Sequence, residues 1–196
     1  TGKTFAYLVP AMLRCLRGET VVVATNTISL QEQIEQKDLP ICRRVFKASP
    51  DLAKYADFRS TVLVGKSNYL CPTRLGHALA DRASLFADAD YEELQRIATW
   101  AETTTTGLRH ELKPPPRPEI WDAVNADSSA CSRKHCDDAK CHYQRARARL
   151  RTAQVIIVNH ALLFAHGFHG AELVAVDGGA LELHVARGVL HAKGQL

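Results

Sequence analysis

Residues 20–25, TVVVAT, are rich in β-branched side chains and enclose an unbroken apolar run, VVVA. Such a run leaves no polar face for water, so it reads as a strand covered on both sides, the kind that parallel sheets use. The segment before it has helical spacing: Phe5, Leu8, Val9, Met12, Leu13 and Leu16, closed by Gly18 as a C-capping residue. A helix is expected again from about Ile28. Further strands are expected at 61–64 (in STVLVG), at 155–158 (in AQVIIVN) and at 172–177 (ELVAVD). The expected fold is α/β, a parallel sheet with helices on both faces.

The helix before the first strand opens on Thr1-Gly2-Lys3-Thr4. A phosphate-binding loop ends in G-K-[ST] and runs into a helix. Backbone N–H groups at a helix start cradle phosphate oxygens, a lysine reaches the β/γ-phosphates and a hydroxyl holds Mg²⁺. Gly2, Lys3 and Thr4 are therefore candidates for nucleotide binding, against the blander reading of an amphipathic helix that contains a lysine. Helix, short turn and apolar strand is the order a P-loop α/β domain follows.

Thr25-Asn26-Thr27 stands where the strand ends and the next helix begins. Parallel sheets place ligand sites at the carboxyl ends of strands, and hydroxyl and amide groups there can bond the phosphates of a nucleic-acid backbone. The same residues also suit a helix N-cap. ELVAVD ends in Asp177, the pattern of a strand whose terminal Asp holds Mg²⁺.

The middle of the chain differs. Residues 76–101 carry Leu79, Leu85, Leu94, Ile97 and Trp100 and are expected to be helical, while TTTTG (103–107) and KPPPRPE (113–119) are expected loops. Cys71, Cys131, Cys136 and Cys141 give C-x59-C-x4-C-x4-C. Zinc sites favour close pairs, C-x2-4-C. Four thiolates at irregular spacing suit an iron–sulfur cluster, whose own geometry organises them. Zinc stays open, with His135 or His142 in place of a cysteine. Cys15 and Cys42 fall in helical segments and read as buried small hydrophobes.

From Cys131 to Arg151 seven Lys and Arg stand against Asp137 and Asp138, while the whole chain carries +4. The basic bias is thus concentrated beside the cysteines, which suits a phosphate backbone as well as a solvated helix face. Tyr69 and Tyr143 are candidates for base stacking. No apolar run reaches the roughly 18 residues of a membrane span, and no signal-peptide pattern is visible. A reducing, cytoplasmic compartment is expected, in which six cysteines are metal ligands or buried thiols rather than disulfides.

Together TGKTFAYLVPA, VVVATNTISLQEQI, VGKSNYLC, the C-x4-C-x4-C group running into RARARLRTAQVIIVNHALLFA, and LVAVD resemble the DinG/XPD-like iron–sulfur DNA helicases of superfamily 2, nearest the bacterial DinG type. The resemblance implies a RecA-like P-loop motor domain with a mainly helical iron–sulfur insertion. It implies ATP and Mg²⁺ at Gly2, Lys3, Thr4 and Asp177, with Lys3 and Asp177 catalytic. A [4Fe–4S] cluster on Cys71, Cys131, Cys136 and Cys141 is implied, as is single-stranded DNA at Thr25, Asn26 and Thr27. The expected activity is 5′-to-3′ translocation and unwinding of forked or other duplex DNA, by a monomer that touches no membrane. The motor domain would comprise residues 1–67 and 151–177, and the insertion 68–150.

The family's Asp-Glu-Ala-His box should fall at 177–180, where the chain reads Asp177-Gly178-Gly179-Ala180. A single inserted G after the Asp codon converts Asp-Glu-Ala-His codons into Asp-Gly-Gly-Ala. Residues 178–196 are therefore expected to be an out-of-frame or degenerate tail. The family's first strand and second motor domain are not in this sequence, so the chain reads as a fragment without activity of its own. The contrasting expectation is a non-catalytic, zinc-containing nucleic-acid-binding module.

Overall fold

The computed structural model describes residues 3–81, 88–127, 131, 139–166 and 172–176. In chain order the elements are α1 (Lys3–Cys15), β1 (Val21–Thr25), α2 (Ile28–Gln33), α3 (Leu39–Lys47), β2 (Ser60–Leu63), α4 (Pro72–Ala80), α5 (Asp88–Thr103), α6 (Pro118–Val124), α7 (His142–Leu150), β3 (Val155–Asn159), α8 (His160–His166) and β4 (Glu172–Val176). They fall into two compact units: the described residues within Thr1–Val64 and Arg149–Leu196, and those within Gly65–Ala148.

The first unit is built on a four-stranded sheet of order β2-β3-β1-β4, and every pairing in it is parallel. Val21 and Val23 of β1 and Val155 and Ile157 of β3 face a core with Tyr7, Leu8, Ala11 and Met12 of α1 and Leu39, Cys42 and Phe46 of α3. Side chains alternate along a strand, so Val22, Ala24, Ile156 and Val158 point the other way. They too are buried, which is why these strands are apolar up to their last residues, Thr25 and Asn159.

Helix α1 runs unbroken through Pro10. Pro10 cannot donate to the Ala6 carbonyl, and both residues are exposed, so water can take the bond. Between α2 and α3 lies a π-helical stretch, Ile34–Asp38, in which the Leu39 N–H reaches the Ile34 carbonyl. Pro40 follows directly, and its ring excludes ordinary α-helical bonding to residue 36. The widened turn lets one helical rod continue across the proline. From the middle of α3, Arg43 donates to the Phe58 carbonyl (3.1 Å) and the Ser60 hydroxyl (3.0 Å) and stacks over Phe58 at 4.3 Å, fixing the entry to β2.

The second unit is mainly helical. Leu70, Leu75, Leu94, Ile97, Leu112, Ile120, Trp121 and Val124 form its core. Tyr69-Leu70-Cys71 is an extended segment held on both sides: Leu70 N–H donates to Gly107 O (2.8 Å), Cys71 N–H to Val124 O (2.9 Å), and Ala126 N–H to Tyr69 O (2.8 Å). Helix α6 was not expected. Its first residue, Pro118, lies inside the segment read as a loop; a proline at the first helical position loses no bond because that N–H has no partner anyway. The single helix expected over 76–101 is two, α4 and α5, with residues 82–87 outside the described ones. No helix among the described residues is long and apolar enough to cross a membrane.

Candidate functional site

The carboxyl edge of the sheet carries the described candidate residues of the turn after β1. Thr25 ends β1 in register with Asn159 at the end of β3 and with Val176 at the end of β4. Asp177 follows Val176 and, like Gly2 and residues 178–196, lies outside the described residues. Helix α1 is pinned at the opposite, amino edge: Cys15 Sγ donates to Gln154 O (3.4 Å) and Gln154 Nε2 donates to Cys15 O (3.3 Å), one residue before β3. Thirteen residues rise about 20 Å in a helix, roughly the length of a five-residue strand with its flanks. Lys3 and Thr4, in the first turn of α1, therefore emerge toward the same carboxyl edge as Thr25 and Asn159. The Thr4 side chain is hydrogen-bonded with that of Tyr7.

The turn after β1 is shaped by its own side chains. Thr25 is fully buried and its hydroxyl donates to Thr27 O (3.0 Å). Thr27, in extended conformation, is the N-cap of α2: its hydroxyl accepts from Leu30 N–H at 3.3 Å. Asn26 and Thr27 are exposed, so these two, not Thr25, present polar atoms to a ligand. The capping and ligand-binding readings of this turn are thus compatible. Thr27→Ala is expected to destabilise the first unit by about 1 kcal/mol, with Thr27→Ser restoring it; thermal unfolding of the three chains checks this. Asn159 plays the same part for α8, its Oδ1 accepting from Leu162 N–H at 2.7 Å.

Three of the candidate metal ligands belong to the second unit's described residues. Cys71 is buried and occupies the N-cap position of α4. Cys141 directly precedes α7, and its carbonyl accepts from Arg145 N–H (3.0 Å). Cys131 is half-buried, its N–H donating to Asp127 O (3.0 Å). Cys136 and His135 lie outside the described residues. Cys71, Cys131 and Cys141 are free thiols, and among the described residues no three His, Cys, Asp or Glu side chains are grouped as a metal site requires. Thiol chemistry and the local positive charge suit a thiolate-bound metal or cluster. Arg145 Nε, one turn after Cys141, is buried and has no acceptor among the described residues.

His142, the alternative zinc ligand, directly follows Cys141 and opens α7. It is buried, its Nδ1 lies 2.6 Å from Arg145 Nη2, and burial, reinforced by Arg145, holds its imidazole below the usual pKa. Tyr69 and Tyr143 offer no stacking platform for bases. Both are buried, and they pack edge-to-face on each other at 5.5 Å, with Lys66 and Arg147 over the Tyr143 ring at 5.6 and 6.0 Å. Of the α7 arginines, Arg147 and Arg149 are exposed while Arg145 turns inward to the Thr105 carbonyl (3.2 Å). Cys15 and Cys42 sit in the core, and burial first, then Glu19, pushes the Cys15 thiol up to about 11. Two features escaped the sequence reading altogether: the buried Gln31, and the seating of His142 on Gly107. Each depends on partners 30 residues or more away.

No family model matches the chain. It is 35% identical to the ATP-dependent helicase DinG of Mycobacterium tuberculosis, with 83% of this chain aligned to 26% of that protein. It is 31% identical to the ATP-dependent DNA helicase DinG of Salmonella typhimurium, aligning 84% to 24%. For the ATP-dependent DNA helicase YoaA of Haemophilus influenzae the identity is 29%, again 84% to 24%. The chain therefore spans about a quarter of the length of the curated relatives it matches. Over that quarter its sequence is similar to the DinG-like helicases, at 29–35% identity.

Proposed function

We propose that the chain is part of an ATP-dependent DNA helicase that moves 5′ to 3′ on single-stranded DNA and opens forked or other duplexes, acting as a monomer. The observation that carries this reading is the carboxyl edge of the sheet, where the ends of β1, β3 and β4 come into register and the amino end of α1 emerges. Similarity to proteins named ATP-dependent helicases supports it. On this reading residues 1–67 and 151–177 belong to a RecA-like motor domain, and 68–150 are an inserted iron–sulfur domain.

Gly2, Lys3 and Thr4 would hold ATP phosphates, with Thr4 and Asp177 on Mg²⁺ and Lys3 and Asp177 as the catalytic pair. When bound, Mg-ATP supplies the phosphoryl transfer that drives such motors. The chain's own part is positioning: Lys3 compensates phosphate charge, and the Thr4 hydroxyl exchanges Tyr7 for the metal. Asn26 and Thr27 meet the DNA backbone at a turn that Thr25 keeps in shape, so binding depends little on sequence. Gly178 follows Asp177 where the family has the Glu that activates water. This chain alone is therefore expected to bind nucleotide without hydrolysing it, and residues 178–196 to be an out-of-frame or degenerate tail.

Cys71, Cys131, Cys136 and Cys141 would carry a [4Fe–4S] cluster, which when bound cross-links the segments bearing its thiols. Chain purified anaerobically is expected to be brown, to contain iron, and to lose both colour and iron in Cys71→Ser and Cys136→Ser. Full iron retained in either variant removes that cysteine from the ligand set. Colourless protein with one zinc per chain overturns the cluster in favour of a zinc-containing, non-catalytic nucleic-acid-binding module. Binding of a labelled oligothymidine, followed by anisotropy, tests the motor reading separately.

A further inference from the structure

Gln31 is fully buried in the first unit. Its Nε2 donates to two carbonyls, Leu63 O at 3.2 Å and Ile157 O at 3.4 Å. Its Oε1 is equally buried and has no donor among the described residues. A methionine or leucine would fill the volume without an unpaired acceptor, whose burial costs about 1–3 kcal/mol. The two donated bonds roughly offset that cost, so an amide here brings little net stability.

The bonds around Gln31 form a connected path. Its own N–H donates to Thr27 O (3.3 Å), the same carbonyl that takes the Thr25 hydroxyl (3.0 Å). Its side chain then holds Leu63, the last residue of β2, and Ile157 inside β3, whose neighbour Val158 pairs with Leu63. One residue thus joins the Thr25–Thr27 turn to the place where the chain leaves the sheet after β2. The two carbonyls also fix which way the amide points, since the flipped form would set oxygen against oxygen.

We infer that Gln31 is a positioning residue that couples the Thr25–Thr27 turn to the carboxyl end of β2, so that displacement of the turn is felt at Leu63. The ligand-dependent part of this inference rests on the DNA-binding reading above; the coupling itself does not. Gln31→Met keeps the bulk and removes both the donors and the unpaired acceptor, and Gln31→Leu provides a second variant in case one fails to fold.

The test is native-state hydrogen exchange on the full 196-residue chain. In the parent protein the amides of residues 28–33 and 61–64 are expected to open together. In Gln31→Met they should open separately, with at least a tenfold difference in protection, while the melting temperature stays the same or rises. On adding oligothymidine, the parent should show altered protection at both segments, and the variant only near the turn. Retained joint opening in both variants, or a lowered melting temperature with joint opening intact, overturns the coupling and leaves Gln31 a structural residue. If the parent binds no oligothymidine, the DNA-binding reading fails and the ligand-free comparison still decides the coupling.

Discussion

Trp121→Ala is expected to lower the stability of the second unit by about 3–5 kcal/mol, the range for truncating a large buried aromatic. Trp121 is 1% exposed and sits in the core with Leu70, Leu75, Leu94, Ile97 and Val124. Its indole N–H donates to Ser67 O at 2.7 Å, and the Arg109 guanidinium lies over its ring at 5.9 Å. The truncation therefore opens a cavity, orphans a carbonyl and frees a cation together. Helix α6 has seven residues, too few to hold alone, and Trp121 and Ile120 are among its anchors. Because α6 also supplies the Val124 carbonyl to Cys71 N–H, the loss should reach the Cys71 segment. Trp121→Phe keeps most of the buried area and loses the donor, so about 1–2 kcal/mol is expected there. The two units need not unfold together. Hydrogen exchange resolved by segment is the proper measurement, with protection falling across 69–75 and 94–124 and holding in β1 and β3. Equal loss in both units would show that Trp121 does not anchor the second one alone.

The sheet was legible in the sequence because its signal is local. VVVAT, VIIVN and the helix α1 pattern each state within a few residues which atoms avoid water, and burial on both faces of β1 follows from the run alone. The second unit was much less legible. Its helices are short and amphipathic, and what fixes them lies far away in sequence: Tyr69 against Tyr143, Trp121 against Ser67, Cys71 against Val124. Tyr143 looked like a surface aromatic in a basic run because neighbouring arginines say nothing of Tyr69. Gln31 in SLQEQI carries no local sign of burial; its partners, Leu63 and Ile157, lie 32 and 126 residues on. At the candidate site, the residue types and their order were readable, whereas the division of labour within Thr25-Asn26-Thr27 needed the turn's own hydrogen bonds.

TTTTG at 103–107 shows how much a loop read as featureless can determine. Gly107 has φ +69, a conformation that costs an L-residue about 1–2 kcal/mol. A Cβ there would also lie 2.6 Å from Cδ2 and 2.7 Å from Nδ1 of His142. The ring is not free to yield, being buried and bonded to Arg145, itself held to Thr105 O. Overpacking against a fixed side chain adds roughly 1–3 kcal/mol, so Gly107→Ala should destabilise the second unit by both amounts. The carbonyl of Gly107 also accepts from Leu70 N–H, so a displaced backbone would loosen the extended segment that ends at Cys71 as well as the first turn of α7, which Cys141 directly precedes. Removing the ring separates the two causes. In Gly107→Ala/His142→Ala the collision disappears and only the backbone strain remains beyond the cost of His142→Ala itself. The pair should therefore be non-additive by about 1–3 kcal/mol, measured by denaturant unfolding of the four chains of the cycle. Additive losses would mean that the glycine serves its backbone conformation alone, and that Cys141 is positioned without help from the contact between Gly107 and His142.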